Sequence, residues 1–238
     1  MAERTDAGPA NGLAAITSLA EPTRRVVYDS VVAAGVWVGR DQTAAATGLE
    51  RGTAAHHLDR LAEDGLLEVA YRRLTGRTGP GAGRPAKVYR RARSDFGVTL
   101  PPRDYELAGS MLAAAADRSR AEGAGIDDAI AEVVAERGSD FGAEVRRRLG
   151  RSNTAEARRG AVLEVLSAHG FEPRDGEGGT VTLHNCPFHR LAQEHTDLIC
   201  NMNLCLLRST LSEAGDTGFE ARLEPQADAC CVRLHLAT

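Results

Sequence analysis

The period of the apolar residues changes abruptly at Gly65, and that change constrains the N-terminal part of the chain more than any other feature. Before it, Arg40 to Thr47 reads as a short Ala-rich helix stopped by Gly48. Leu49 fits a buried turn position. A second helix is predicted from about Arg51 to Asp64, with Ala54, Leu58, Leu61 and Ala62 on one face. After Gly65, Leu66 to Leu74 reads as a strand, Thr75 to Pro85 as a glycine-rich turn and Ala86 to Arg91 as a returning strand. Two short helices joined by a glycine-containing turn, then strand, loop and strand, predict a winged helix-turn-helix. An earlier helix opens at Glu21-Pro22-Thr23, with proline in its first turn, and ends at Gly35. A short helix from Gly12 to Ala20 precedes it.

Charge gathers in the same region. The formal net charge is -4, so the total gives no reason to expect a polyanionic partner. Groove binding needs a basic patch and not a basic total. Arg72, Arg73, Arg77, Arg84, Lys87, Arg90, Arg91 and Arg93 fall on the strand-loop-strand segment, and no acidic residue lies between Leu74 and Ser94. Lys87 is the only lysine, so the bias towards arginine carries little functional weight. An Arg-rich loop is often only a solvated charge run. Beside a recognition helix, however, it is the footprint expected for phosphate contacts. On this reading Thr53, His56, His57 and Arg60 face the major groove. Arg77 and Arg84 contact phosphate or the minor groove, and Lys87 joins the DNA-binding set. Thr53 could equally be a capping residue. Asp59 and Glu63 are expected on the solvated rear face.

The rest of the chain is expected as two further regions after a DNA-binding domain at 1–98. Pro101-Pro102 marks the boundary. Residues 99–152 read as a helical linker or dimerisation region: a helix from Arg103 to Glu122, another from Asp127 to about Arg137, and a short segment from Phe141 to Leu149. Residues 153–238 read as helix, two strands, a long helix from about Gln193 to Ala214, and strands at Phe219–Leu223 and Cys230–Leu236. That order suggests a small α+β domain with an antiparallel sheet. The 42% apolar and 26% charged content is that of a soluble globular protein, and only 4% aromatics means cores of Leu, Val and Ala. No stretch approaches the ~18–20 apolar residues that span a bilayer. Met1 to Pro9 carries no apolar signal region, so a cytoplasmic location and no membrane partner are expected.

All five cysteines lie after residue 185: Cys186, Cys200, Cys205, Cys230 and Cys231. In a reducing compartment such a group is more often metal-binding or redox-active than a disulfide framework. The Cys-x13-Cys-x29-Cys spacing lacks the close Cys-x2-Cys pairs of zinc fingers and ribbons. It suits an iron–sulfur cluster held from separate elements; zinc, a thiol switch and buried packing are the alternatives. Cys230 and Cys231 would point to opposite faces of a strand, so one of them is expected to ligate, with Cys230 on the face of Val232 and Leu234. Cys205 is five residues past Cys200, about 140° around the helix, and flanked by leucines, so it reads as a packing thiol. His195 precedes Cys200 by five residues and His189 follows Cys186 in the turn; either could supply a fourth ligand.

These residues carry a family resemblance. Asn185-Cys186-Pro187-Phe188-His189, then His195, Cys200-x-Met202-Asn203 and Cys230-Cys231-Val232, together with Gly83-Arg84-Pro85-Ala86-Lys87-Val88-Tyr89, resemble actinobacterial ArsR-like winged-helix regulators similar to the Suf-operon repressor (SufR) family. The resemblance covers the chain apart from its N-terminal tip. It implies a dimeric repressor acting on a palindromic operator in double-stranded DNA. It also implies a [4Fe–4S] cluster on Cys186, Cys200 and one of Cys230 and Cys231, with His195 the first choice for the fourth position and zinc the alternative occupant. Two other classes compete: a metal- or thiol-dependent enzyme with a DNA-binding head, and a sensor of an apolar small molecule. No H-E-x-x-H, G-x-S-x-G or phosphate-loop motif supports the enzyme, so none is expected.

Overall fold

The computed structural model describes residues 9–72, 85–151, 154–226 and 228–237. They form a mixed α and β structure in two units, residues 1–98 and 99–238.

In the first unit, α1 (Pro9–Ser18) precedes α2 (Pro22–Ala34). Glu21 starts α2 by accepting hydrogen bonds from the Thr23 and Arg24 N–H groups at 2.9 and 2.6 Å. This satisfies two of the orphan donors of the first turn. After the two-residue strand β1 (Val38–Gly39) come α3 (Arg40–Thr47) and α4 (Arg51–Glu63). Gly48, at φ +72°, turns the chain between them in a left-handed conformation that residues with a side chain adopt at a cost. β2 (Leu67–Arg72) and β3 (Ala86–Arg91) pair antiparallel, and β1 adds to β3, giving the order β1-β3-β2. Ala15, Val27, Val31, Val38, Leu58, Leu61, Leu67 and Tyr89 fill the core between helices and sheet.

The second unit contains α5 (Tyr105–Glu122), α6 (Ile126–Leu149), α7 (Ala155–Ala168), α8 (His189–Glu194) and α9 (Thr196–Ala214). Its sheet is antiparallel in the order β4-β5-β7-β6, from β4 (Pro173–Asp175), β5 (Val181–Leu183), β6 (Phe219–Leu223) and β7 (Val232–Leu236). The alternation of β5 to β7 puts Val181, Leu183, Phe219, Ala221, Val232 and Leu234 on the buried face. α9 packs on the sheet, α6 lies against α9 and α7, and α5 lies against α6.

Two expectations need correction here. Residues 99–152 are not a separate linker region: Met111, Val133, Val134, Phe141 and Val145 share one core with Val165, Leu206 and the sheet. Nor does a break separate 127–137 from 141–149, because α6 is continuous through Gly138 and Gly142. These glycines are not helix breakers. They let α6 approach α9. A Cβ on Gly138 would lie 2.5 Å from the Leu206 carbonyl oxygen and 2.6 Å from Ser209 Cβ. One on Gly142 would lie 2.6 Å from both Glu213 Cβ and the Thr210 carbonyl oxygen. No helix among the described residues is long and apolar enough to cross a membrane.

The close approach reverses the usual effect of replacing a helical glycine. On an exposed face, alanine stabilises a helix by roughly 1 kcal/mol over glycine. Gly109 of α5 has no heavy atom within 4 Å of its would-be Cβ, so Gly109→Ala should follow that rule. Gly142→Ala should instead destabilise the protein by about 1–3 kcal/mol, the cost of overpacking. Urea denaturation of the two variants beside the unmodified chain checks both signs.

Candidate functional site

The cysteines come together at one end of the second unit. Cys186 sits just after β5, where its neighbours hold the loop. The Asn185 amide donates to the carbonyls of Pro102 at 2.8 Å and Gly170 at 2.6 Å. The Arg103 guanidinium donates to Asn185 Oδ1 and, at 3.2 Å, to the Cys186 carbonyl. Phe188, fully buried, anchors the following turn. His195, at φ −134° and ψ 56°, separates α8 from α9. Cys200 then lies on the buried side of α9, with Asn203 three residues on along the same face.

Cys230 and Cys231 precede β7 rather than belonging to it, because the β6–β7 ladder ends at the Leu223–Val232 pair. The alternation of burial nevertheless runs on through them: Cys230 is buried with Val232 and Leu234, as expected, and Cys231 is half-buried, while the Cys230 N–H donates to the Leu183 carbonyl at 2.8 Å and the Cys231 carbonyl accepts from the Glu224 N–H at 2.7 Å. Both sulfurs still join the group. Cys231 Sγ lies 2.7 Å from Cys200 Sγ. The Cys230 thiol is hydrogen-bonded to Cys186, and Asn203 Nδ2 donates to Cys230 Sγ at 3.1 Å. Electrostatic interaction also links Cys186 with Cys200 and Cys230 with Cys231. Each of the four thiols thus feels two others, in a closed ring.

The ring separates their acidities. The hydrogen bond from Cys230 holds Cys186 below the ordinary thiol value against the opposing effect of burial, with the Phe188 N–H and Arg103 assisting. Cys230, the donor of that bond and itself buried, is pushed well up. Burial and then the Cys231 thiol push Cys200 up to about 12. Cys186 is thus favoured as a thiolate, while Cys200 and Cys230 resist losing their protons. A multivalent cation removes that resistance, because a coordinating thiol is deprotonated by the ion's own charge. Four thiols from three elements match the donor set of an iron–sulfur cluster or of a zinc site with four cysteine ligands. The Asn203 Oδ1 beside them is buried without a hydrogen-bond partner, which also marks the place as built around more than packing. The sulfurs stand as two hydrogen-bonded pairs, and no three His, Cys, Asp or Glu side chains among the described residues already have the arrangement of a metal site. Sharing one tetrahedral zinc would open the Cys200–Cys231 pair to about 3.8 Å, given Zn–S bonds of ~2.3 Å.

The structure does not bring the histidines to the cysteines. His195 is solvent-exposed at the α8–α9 junction and makes no side-chain hydrogen bond to the sulfurs among the described residues; His189 is exposed as well. Cys231, not a histidine, is the fourth side chain brought to the other three cysteines. Cys205 stands apart, its Sγ 3.6 Å from the Ala131 carbonyl of α6. Arg103, Asn185 and Asn203 were not legible as site residues. Asn185 and Asn203 do stand in the quoted motif, beside Cys186 and three residues past Cys200, but without a role there.

In the first unit, the residues expected to meet DNA have different fates. His56 and Arg60 are exposed on α4, and Arg60 pairs with Glu63 at 3.4 Å and Asp64 at 3.2 Å. Thr53 is half-buried in the first turn and does not cap the helix, whose N-cap is Glu50. His57 turns inward: its Nδ1 lies 3.8 Å from Glu21 Oε2, and burial lowers its pKa. That corrects its place on the outward face. Lys87 donates to Asp59, which also accepts from Tyr89 Oη at 2.7 Å, so Asp59 ties α4 to β3 and does not belong to a free rear face. Arg77 and Arg84 lie outside the described residues. Trp37 is flanked by the guanidinium groups of Arg72 and Arg90, each 4.6 Å from its ring centre. Comparison with family models, curated proteins and solved structures found no match to this chain.

Burial alone would raise the Asp59 carboxyl, but the hydrogen bonds from Lys87 and Tyr89 outweigh it and lower the pKa below the ordinary value. A carboxylate lowered on folding adds stability above its unfolded-state value and loses it as the pH falls through the folded value. Asp59→Asn should therefore unfold at lower urea than the unmodified chain at pH 7, and the gap should close as the solution is acidified below the carboxylate range. The fluorescence of Trp37, the only tryptophan, reads the first unit.

Proposed function

We propose that the chain is a DNA-binding transcriptional regulator, a repressor, whose C-terminal unit senses iron–sulfur or redox status through a [4Fe–4S] cluster on Cys186, Cys200, Cys230 and Cys231. The ring of four thiols carries this reading. It gathers sulfurs from three separate elements and leaves Cys205 and both nearby histidines outside. When bound, the cluster would supply a one-electron, oxidant-sensitive group. The chain's own part is to hold four sulfurs, keep Cys200 and Cys230 buried, and fix the Cys186 loop through Asn185 and Arg103. On this reading the protein is not an enzyme.

The first unit supports the DNA-binding half. α3, the Gly48 turn and α4 are read as a helix-turn-helix, with the β2–β3 hairpin as its wing. Arg51, His56 and Arg60 form its exposed polar face. Several cations there are paired with nearby carboxylates. Exposed pairs are worth only about 0–1 kcal/mol, so a phosphate can replace the carboxylate at small cost. A palindromic operator in double-stranded DNA and a homodimer in the cytoplasm complete the proposal.

Regulation requires the cluster-bound and cluster-free forms to differ in DNA affinity. α9 gives that difference a route. Cys200 lies near its start, and Leu206, Thr210 and Ala214, the residues that meet Gly138 and Gly142, lie further along. A shift of the sulfurs moves a helix locked against α6. Zinc is the second reading, favoured by the closeness of the Cys200–Cys231 pair.

Anaerobic purification with an absorption spectrum and iron, sulfide and zinc analysis tests the reading. A brown protein with about four irons per chain is expected. Serine at Cys186, Cys200, Cys230 or Cys231 should each remove or destabilise the cluster, while Cys205→Ser and His195→Ala should retain it. A colourless protein with one zinc per chain would replace the cluster by a structural site. Equal binding of one operator by cluster-bound and cluster-free protein at matched salt would sink the sensor role.

A further inference from the structure

The Asn203 side chain is not explained by packing. The residue is 2% exposed, surrounded by the apolar core of the second unit, and makes a single side-chain hydrogen bond among the described residues, from Nδ2 to Cys230 Sγ at 3.1 Å. Its Oδ1 is buried with no partner. A hydrogen bond to a neutral thiol sulfur is weak and offsets little of that cost. One to a thiolate is charge-assisted and much stronger, the more so away from water. The opposite orientation of the amide would offer Oδ1 as an acceptor to a neutral Cys230 S–H, and that is not the orientation seen. The orientation seen thus suits a sulfur that carries negative charge.

We propose that Asn203 is a positioning and tuning residue that raises the reduction potential of the group held by the four cysteines, by donating Nδ2–H to the Cys230 sulfur. This rests on the reading of those cysteines as holding a [4Fe–4S] cluster. Adding an electron places more negative charge on the cluster and its sulfurs. A fixed N–H dipole aimed at one sulfur stabilises that state more than the oxidised one, and hydrogen bonds to sulfur are among the protein's means of setting a cluster's potential. Asn203 lies three residues beyond Cys200 on α9, so the helix that supplies one ligand also tunes another.

The test uses the full chain, anaerobically loaded, with Asn203→Leu and Asn203→Ala. Leucine is close to asparagine in size and removes both the donor and the unpaired oxygen; alanine removes them and leaves space. Midpoint potentials come from reductive titration followed by visible absorption, and Tm from circular dichroism. The expected result is unchanged iron content in both variants, a Tm for Asn203→Leu at or above that of the unmodified protein, and a lower potential. At the unmodified protein's midpoint, the reduced-to-oxidised ratio should fall about tenfold, ~59 mV for a one-electron couple. An unchanged potential in the loaded variants overturns the role of Asn203 and leaves the cysteine reading standing. Loss of the cluster together with the fold in both variants overturns it in favour of a structural role. An unmodified protein that takes up no iron or sulfide overturns the cysteine reading, and this inference with it.

Discussion

The close approach of α6 and α9 sets the geometry on which the second unit depends. Two glycines four residues apart, Gly138 and Gly142, present bare backbone to the carbonyls and Cβ atoms of α9. Such contact gains dispersion along both helices, and it leaves no room for sliding, because packed interiors yield little before they clash. α9 is therefore held in position along its length. Its first turns carry Cys200 and Asn203, and its apolar flank covers the sheet that delivers Cys230 and Cys231. The sulfurs meet because a rigid helix and a short antiparallel sheet converge at one end of the core.

Four thiols so close together impose their own electrostatics. Burial opposes the thiolates of Cys186, Cys200 and Cys230. The hydrogen bonds among them divide the set: Cys186 accepts and is made more acidic, while Cys230 and Cys200 are made less so. The surrounding polar groups are few and specific. Arg103 and Asn185 tie down the backbone at Cys186, and Asn203 attends Cys230. The charge on the first unit is arranged differently. Arg51, Arg60, Lys87 and Arg90 each have a carboxylate partner, in pairs that solvent keeps weak. One unit thus gathers groups that resist charge, and the other holds charge that is readily exchanged.

The elements with local signals were legible in the chain. Glu21-Pro22, Gly48 and the periodicity of Ala54, Leu58 and Leu61 give α2, α3 and α4 nearly residue by residue, and Ala86–Arg91 and Phe219–Leu223 appear as strands at the expected bounds. Capping, left-handed turns and amphipathic period are properties of a few consecutive residues, so a sequence displays them directly. The clustering of cysteines beyond residue 185 was equally visible, and it pointed to the region where the thiols meet.

What the sequence did not display were the relations between distant segments. Gly138 reads locally as a helix breaker and becomes a contact only when α9 lies across it. Cys230 and Cys231 read as alternating strand residues and do alternate in burial, yet both sulfurs join the same group, because Cys200 on α9 comes within 2.7 Å of the half-buried Cys231. His195 has the right spacing for a ligand, but the α8–α9 junction leaves it in solvent, and His57 has the right spacing for a groove but finds Glu21. The sequence by itself determined which helices and strands form and where the reactive sulfur lies. Only the tertiary structure decided which side chains meet, because that depends on how closely two backbones can approach and which helix comes to lie over the end of the sheet.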